Sequence, residues 1–224
     1  MWDATWESIF QAREWGQYPG EDVVRFIARN YYGVPNRAAV KVLEVGSGVG
    51  ANLWFLAREG FSFSGIEGSP TAVARTVARL DREVPGWKGN GSEVRVGDCL
   101  SLPYANDSFD AVLDIGAISC NSFEDSQRIY AELLRVAKPG GMLFSRVVAG
   151  GSWGDGTGVP AGRRAFVNCT EGTVAGMGLI RFTDERDVDD LLGGWKRMAI
   201  ERSIWTEGDR NHEVRQLNIF ASKS

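Results

Sequence analysis

The stretch Val42-Leu43-Glu44-Val45-Gly46-Ser47-Gly48-Val49-Gly50-Ala51-Asn52 limits what this chain can become more than any other. It reads as a buried strand, a glycine turn and the start of a helix. The run before the turn is apolar and β-branched, which suits a central parallel strand covered on both faces. Glycines at 46, 48 and 50 free the backbone of Cβ atoms, so a ligand can approach it closely. The helix that follows offers unpaired N–H groups and the positive end of its dipole. In a doubly wound sheet, a nucleotide-like ligand sits at the carboxyl end of such a strand. The expectation is therefore a crevice for a nucleoside cofactor.

The remainder of the chain alternates. Apolar residues at helical spacing mark two helices before residue 33, broken at 16–20. Strands are expected at 61–67, 94–97, 109–115 and 142–148, with helices between them. Ser69-Pro70 opens one helix, with serine as cap and proline at its first position. Ser122 with Asp125 opens another. Such alternation means a parallel sheet with helices on both faces. Thr183 is expected to cap a further helix. Residues 195–205 and 214–221 read as a terminal hairpin, so the last strand runs antiparallel. The expected fold is α/β: a doubly wound, mostly parallel seven-stranded sheet whose antiparallel last strand comes from a C-terminal hairpin. One domain spans 1–224, with 1–35 as a helical cap and 149–182 as a glycine-rich insertion or lid.

A net charge of -4 argues against a nucleic-acid binder, and no DNA partner is expected. Cys99, Cys120 and Cys169 have neither metal nor disulfide spacing, which suits a reducing, cytoplasmic compartment. No metal site is expected. The first ten residues do not read as a signal peptide, and no run reaches the roughly 18 apolar residues of a membrane helix.

The order of elements, the glycine turn after Glu44, Glu67 closing the second strand, Asp98 after the third and the turn 138–141 together resemble the S-adenosylmethionine-dependent methyltransferase family with the Rossmann-like fold. The resemblance is good over 40–148, moderate over the hairpin and poor over 1–35 and 149–182. It implies S-adenosylmethionine as cofactor and S-adenosylhomocysteine as product. On this reading Glu67 accepts the ribose hydroxyls, Asp98 accepts from the adenine amino group and the Cys99 N–H donates to the ring. Gly46, Ser47, Gly48, Gly50, Asn52 and Gly68 complete the binding set. The rival is a nicotinamide cofactor, because Gly46-x-Gly48-x-x-Ala51 also fits the loose dinucleotide fingerprint. Glu44 weighs against it: a carboxylate there opposes a pyrophosphate and suits a cofactor bearing an ammonium and a sulfonium.

No Ser/His/Asp arrangement is present, and the single histidine, His212, falls in the expected terminal turn. Asp114, at the end of the fourth strand, resembles the family position beside the cofactor's methionine part and is the candidate to orient or deprotonate the acceptor. Tyr18, a loop aromatic beside a proline, is the second catalytic candidate and also a substrate contact. Arg146 and Trp153 are further substrate candidates; Arg163 and Arg164 could meet an anionic or aromatic acceptor. The family's amino-methylating Asn/Asp-Pro-Pro-Tyr/Phe motif is absent, with Asp114-Ile115-Gly116-Ala117 in its place. The expected activity is methyl transfer to an oxygen or nitrogen of a small molecule. The alternatives are a protein or RNA acceptor and a nicotinamide-dependent oxidoreductase.

Overall fold

The computed structural model describes residues 3–224. Helices α1 (Thr5–Ala12) and α2 (Glu21–Tyr31) come first. Then follow β1 (Lys41–Val45), α3 (Ala51–Arg58), β2 (Ser62–Glu67), α4 (Pro70–Glu83), β3 (Glu93–Val96), β4 (Phe109–Ile115), α5 (Phe123–Val136) and β5 (Ala137–Val148). An insertion carries β6 (Val159–Gly162), β7 (Ala165–Val167) and β8 (Leu179–Arg181). Helix α6 (Val188–Leu192) leads into the hairpin β9 (Lys196–Glu207) and β10 (His212–Ser222). Seven strands form the main sheet in the order β3-β2-β1-β4-β5-β10-β9. β10 runs antiparallel between β5 and β9, as the hairpin reading required.

Strand parity sorts the side chains into two cores. Val42, Ala111, Leu113 and Phe144 face α2, α3 and α4, meeting Phe26, Leu53 and Leu80. Leu43, Val45, Val112, Leu143 and Val147 face α5 and α6, meeting Tyr130, Leu133 and Leu191. Phe144 also stacks on Phe220 of β10, centroids 5.0 Å apart, which fastens the hairpin to the parallel strands. Ser69 and Ser122 cap α4 and α5 as expected, accepting from the Ala72 and Asp125 N–H groups.

Two local expectations change, and the insertion takes on a shape of its own. The cap after the insertion is Asp184, which accepts from the Arg186 N–H; the Thr183 hydroxyl instead accepts from Arg181. The turn at 138–141 lies within β5, where Gly140 takes φ +75° and Lys138 binds Asp110. The glycine-rich stretch builds a three-stranded antiparallel sheet with its own apolar cluster, Cys169, Val174, Ile180 and Phe182. Its glycines at 151, 154, 156, 172 and 176 have positive φ, so they serve turns. The stretch leaves and rejoins the sheet at one point, where Ala149 bridges Thr183.

Candidate active site

The crevice lies at the carboxyl ends of β1, β2, β4 and β5, in a cavity of about 440 Å³. In the turn after β1, Gly46, Gly48 and Gly50 have φ of +61°, +51° and +76°, and the first two line the cavity. A Cβ on Gly46 would overlap Ala117, and one on Gly50 would overlap Thr76. Backbone here approaches as closely as only glycine allows. Glu67 fixes this loop: its carboxylate accepts from the N–H of Gly48 at 2.8 Å and of Ser69 at 2.9 Å. Burial holds the Glu67 carboxyl above the usual range.

Glu44 is 1% exposed, and its Oε1 accepts from Asn52 Nδ2 at 2.5 Å. Among the described residues its Oε2 has no partner, nor has the buried Ser47 hydroxyl. Burial pushes the Glu44 carboxyl up to about 8. A buried polar atom without a partner costs about 1–3 kcal/mol. Two of them lining one cavity mark a place prepared for a ligand with donors, and for a cation at Glu44. Asp98 and Cys99 line the far end beyond β3, with Gly68 between them and the glycine turn. Asp98 Oδ1 accepts from the Leu100 N–H. Burial raises the Cys99 thiol to about 12, so it stays protonated.

The opposite wall comes from segments far apart in sequence. From α1 and the loop after it come Trp6, Phe10 and Trp15, packed as an aromatic cluster. Glu7 moors that helix to the start of α4: its carboxylate accepts from the hydroxyls of Ser69 and Thr71, which hold it below the usual range. Ser119, Cys120 and Asn121 follow β4, and Thr173, Val174 and Met177 come from the insertion. Tyr18 stands on the rim, 74% exposed, edge-on to Trp54 at 5.6 Å. Arg146 lines the cavity while paired with Asp22 at 2.9 Å.

Asp114 and Trp153 are elsewhere. Asp114 shares strand parity with Val112, so it points toward α5. It is 0% exposed, accepting from Ser145 Oγ at 2.5 Å and from the Ile118 N–H at 3.0 Å. It lies behind the cavity wall, and the expectation that it meets the acceptor is corrected. Its bond to Ile118 instead fixes the 116–121 loop. Burial raises its carboxyl to about 6. Trp153 stacks on His212 with centroids 4.0 Å apart and does not line the cavity. Arg163 and Arg164 pair with Asp187 and Asp155, also outside it. Among the described residues, no group of three or more His, Cys, Asp or Glu is placed to hold a metal ion. No helix among them is long and apolar enough to cross a membrane.

A doubly wound sheet with a glycine-lined crevice, Glu44 near the end of β1 and Glu67 closing β2 is the layout of an α/β nucleoside-binding fold. Residues 42–141 match a family model described as a methyltransferase domain. Over those residues the chain resembles a methyltransferase domain, and its fold is the Rossmann-like one of S-adenosylmethionine-dependent methyltransferases. Norajmaline N-methyltransferase of Rauvolfia serpentina is 33% identical over 127 residues, 54% of this chain and 39% of that protein. The chain spans two-fifths or less of the first curated relatives it matches. Among solved structures, an S-adenosylmethionine-dependent methyltransferase of Methanosarcina mazei has TM-score 0.67 and 21% identity, covering 82% of this chain and 92% of its own. Magnesium protoporphyrin IX methyltransferase of Synechocystis, solved with bound S-adenosylmethionine, has TM-score 0.58 and 15% identity over 99% and 81%.

Proposed function

We propose that the chain binds S-adenosylmethionine and methylates an oxygen or nitrogen of a small molecule. The observation that carries this reading is the pair of partnerless buried atoms, Glu44 Oε2 and Ser47 Oγ, beside the glycine turn. The carboxylate fits a cofactor with an ammonium group and opposes a pyrophosphate. Glu44, fixed by Asn52, would hold the ammonium. Glu67, braced by two backbone donors, would take the ribose, and Asp98 with the Cys99 N–H the adenine. When bound, the cofactor supplies a methyl group already activated on a sulfonium. The chain then has to align the acceptor and exclude water, effects that together can contribute several kcal/mol, up to about 7–11 in favourable cases. Trp6, Phe10, Val174 and Met177 give the apolar cover for this. With Asp114 behind the wall, Tyr18 is the candidate that remains to orient or deprotonate the acceptor.

The small-molecule reading is supported by the roof over the crevice, built by α1 on one side and residues 173–180 on the other. The two named relatives act, by their names, on small molecules. The three free cysteines support a reducing, cytoplasmic setting. The test is calorimetry with S-adenosylhomocysteine and with reduced nicotinamide dinucleotide. Binding of the first alone is expected. Binding of the second alone would overturn the cofactor assignment.

A further inference from the structure

A second concavity, about 740 Å³, lies between α2 and the face of β5, β10 and β9. It adjoins the cofactor cavity, with Gly20, Arg146 and Gln216 lining both. Strand order fixes which end it meets. The acids assigned to ribose and adenine follow β2 and β3, on one side of β1. Arg146 and Gln216 belong to β5 and β10, on the other side, where an acceptor has to enter. A cavity of about 440 Å³ is in the lower part of the range that suits one drug-sized ligand, about 300–1,000 Å³. With the cofactor in place, little more than the reacting end of an acceptor fits there.

We infer that the groove is the second half of the acceptor site and takes a long, largely apolar arm of the acceptor, with a place for a hydroxyl or amine on it; this rests on the methyltransferase reading above. Phe26, Met142, Trp205 and Phe220 supply the apolar lining. On the floor, Asn218 is 5% exposed and donates from Nδ2 to Ser203 Oγ at 2.8 Å, while its Oδ1 has no partner. An O–H or N–H on the arm satisfies it. The passage is closed by the Asp22–Arg146 pair. Arg146 stands directly opposite Asn218 in the β5–β10 ladder, so its displacement uncovers the amide. Gly20 fits this gate. Its φ of -66° needs no glycine, yet a Cβ there would overlap Asp22 Oδ1 and come within 2.9 Å of Arg146 Nη1. A side chain here would push on the ends of the ion pair and not on the backbone.

The methionines report on both chambers: Met177 lines the cofactor cavity, and Met142 and Met198 line the groove. The full chain, carrying ¹³C-methyl methionine and saturated with S-adenosylhomocysteine, is titrated with methyl and then octyl 4-hydroxybenzoate. The methyl ester is expected to shift Met177 alone. The octyl ester should shift Met177, Met142 and Met198 along one binding curve. Ser203→Trp, or Ala199→Phe should the first fail to fold, is expected to abolish the Met142 and Met198 shifts and weaken the octyl ester at least tenfold, with S-adenosylhomocysteine affinity unchanged. If the octyl ester moves Met177 alone, moves no methionine, or moves the groove pair equally in both filled variants, the inference falls. Failure of S-adenosylhomocysteine itself to bind, read before any ester is added, strikes the methyltransferase reading separately.

Discussion

The wall of the cavity formed by the β1–α3 and β2–α4 connections is mostly backbone, whereas the wall facing it is side chains from α1, the 116–121 loop and the insertion. The first is held by glycines at positive φ and by a carboxylate whose oxygens already grip Gly48 and Ser69. Gly46, Gly48 and Glu67 cannot change there without strain or a lost hydrogen bond. The second wall, with Thr173, Val174 and Met177, can be resized one side chain at a time at a cost of about 1–2 kcal/mol. A site with one fixed and one adjustable wall suits a constant cofactor and a variable acceptor. Substitutions on the two walls should therefore differ in size and in what they alter.

The largest effect is expected at Gly46. Gly46→Ala meets an unfavourable φ, about 1–3 kcal/mol, and a steric overlap with Ala117 of similar cost. S-adenosylhomocysteine affinity should fall by roughly a hundredfold or more, read by calorimetry. An effect no greater than that of Met177→Ala on the same ligand would erase the contrast between the walls. Glu67→Ala follows. It leaves the Gly48 and Ser69 N–H groups unmatched, about 1–3 kcal/mol of stability, and removes the ribose acceptor, so binding should weaken at least tenfold. Unchanged affinity in that variant rules out the ribose assignment.

Glu44 sharpens the comparison through pH. Its folded-state value of about 8 is far above the ordinary 4.5, because burial opposes its charge. Below about 4.5 both folded and unfolded chains hold this proton, and the contribution to stability is complete. As pH rises toward 8 the unfolded chain releases its proton first, so stability falls, on the order of a few kcal/mol over the window. Asp114, raised to about 6, adds a decline of the same sign at lower pH. Glu44→Gln should flatten the upper part of the profile and raise the melting temperature above pH 8 without ligand. The same variant should bind S-adenosylhomocysteine less tightly. A variant that gains stability and keeps its affinity would show the acid to be structural only.

The backbone wall was legible in the sequence because its signals are local. The three glycines and Glu44 lie within seven residues, and Glu67 ends the next strand. The side-chain wall was not, because Phe10, Asn121, Met177 and Gln216 meet only after the chain has folded. Asp114 is a different case. Its parity with Val112 was readable, but the family position outweighed it, and the side chain went to Ser145. At 149–182 the internal sheet was not legible, because its three short strands pair only after glycines at positive φ have turned the chain. In the hairpin, two strand-like runs joined by the polar turn at 207–211 were sufficient to predict an antiparallel last strand.

The smallest effect belongs to Trp153, and it marks where the adjustable wall ends. As a lone tryptophan in a glycine-rich stretch it is the natural candidate for apolar cover over an acceptor. Its ring lies instead on His212, with its N–H toward Glu171 and its backbone N–H bonded to the Glu213 carbonyl. It ties the start of the insertion to the hairpin. Trp153→Ala should cost about 0.5–1.5 kcal/mol for the lost stacking, more if the gap does not close, seen as a modest drop in melting temperature. S-adenosylhomocysteine affinity should stay within about twofold. Met177→Ala, with no such tie, should do the reverse: little change in melting temperature, and an altered KM once an acceptor is in hand. Hydrogen exchange separates the roles further. If residues 150–158 and 173–180 slow together when ligand binds, the insertion closes as one lid and Trp153 belongs to it. If only 173–180 slows, the adjustable wall ends there and Trp153 is a fastening.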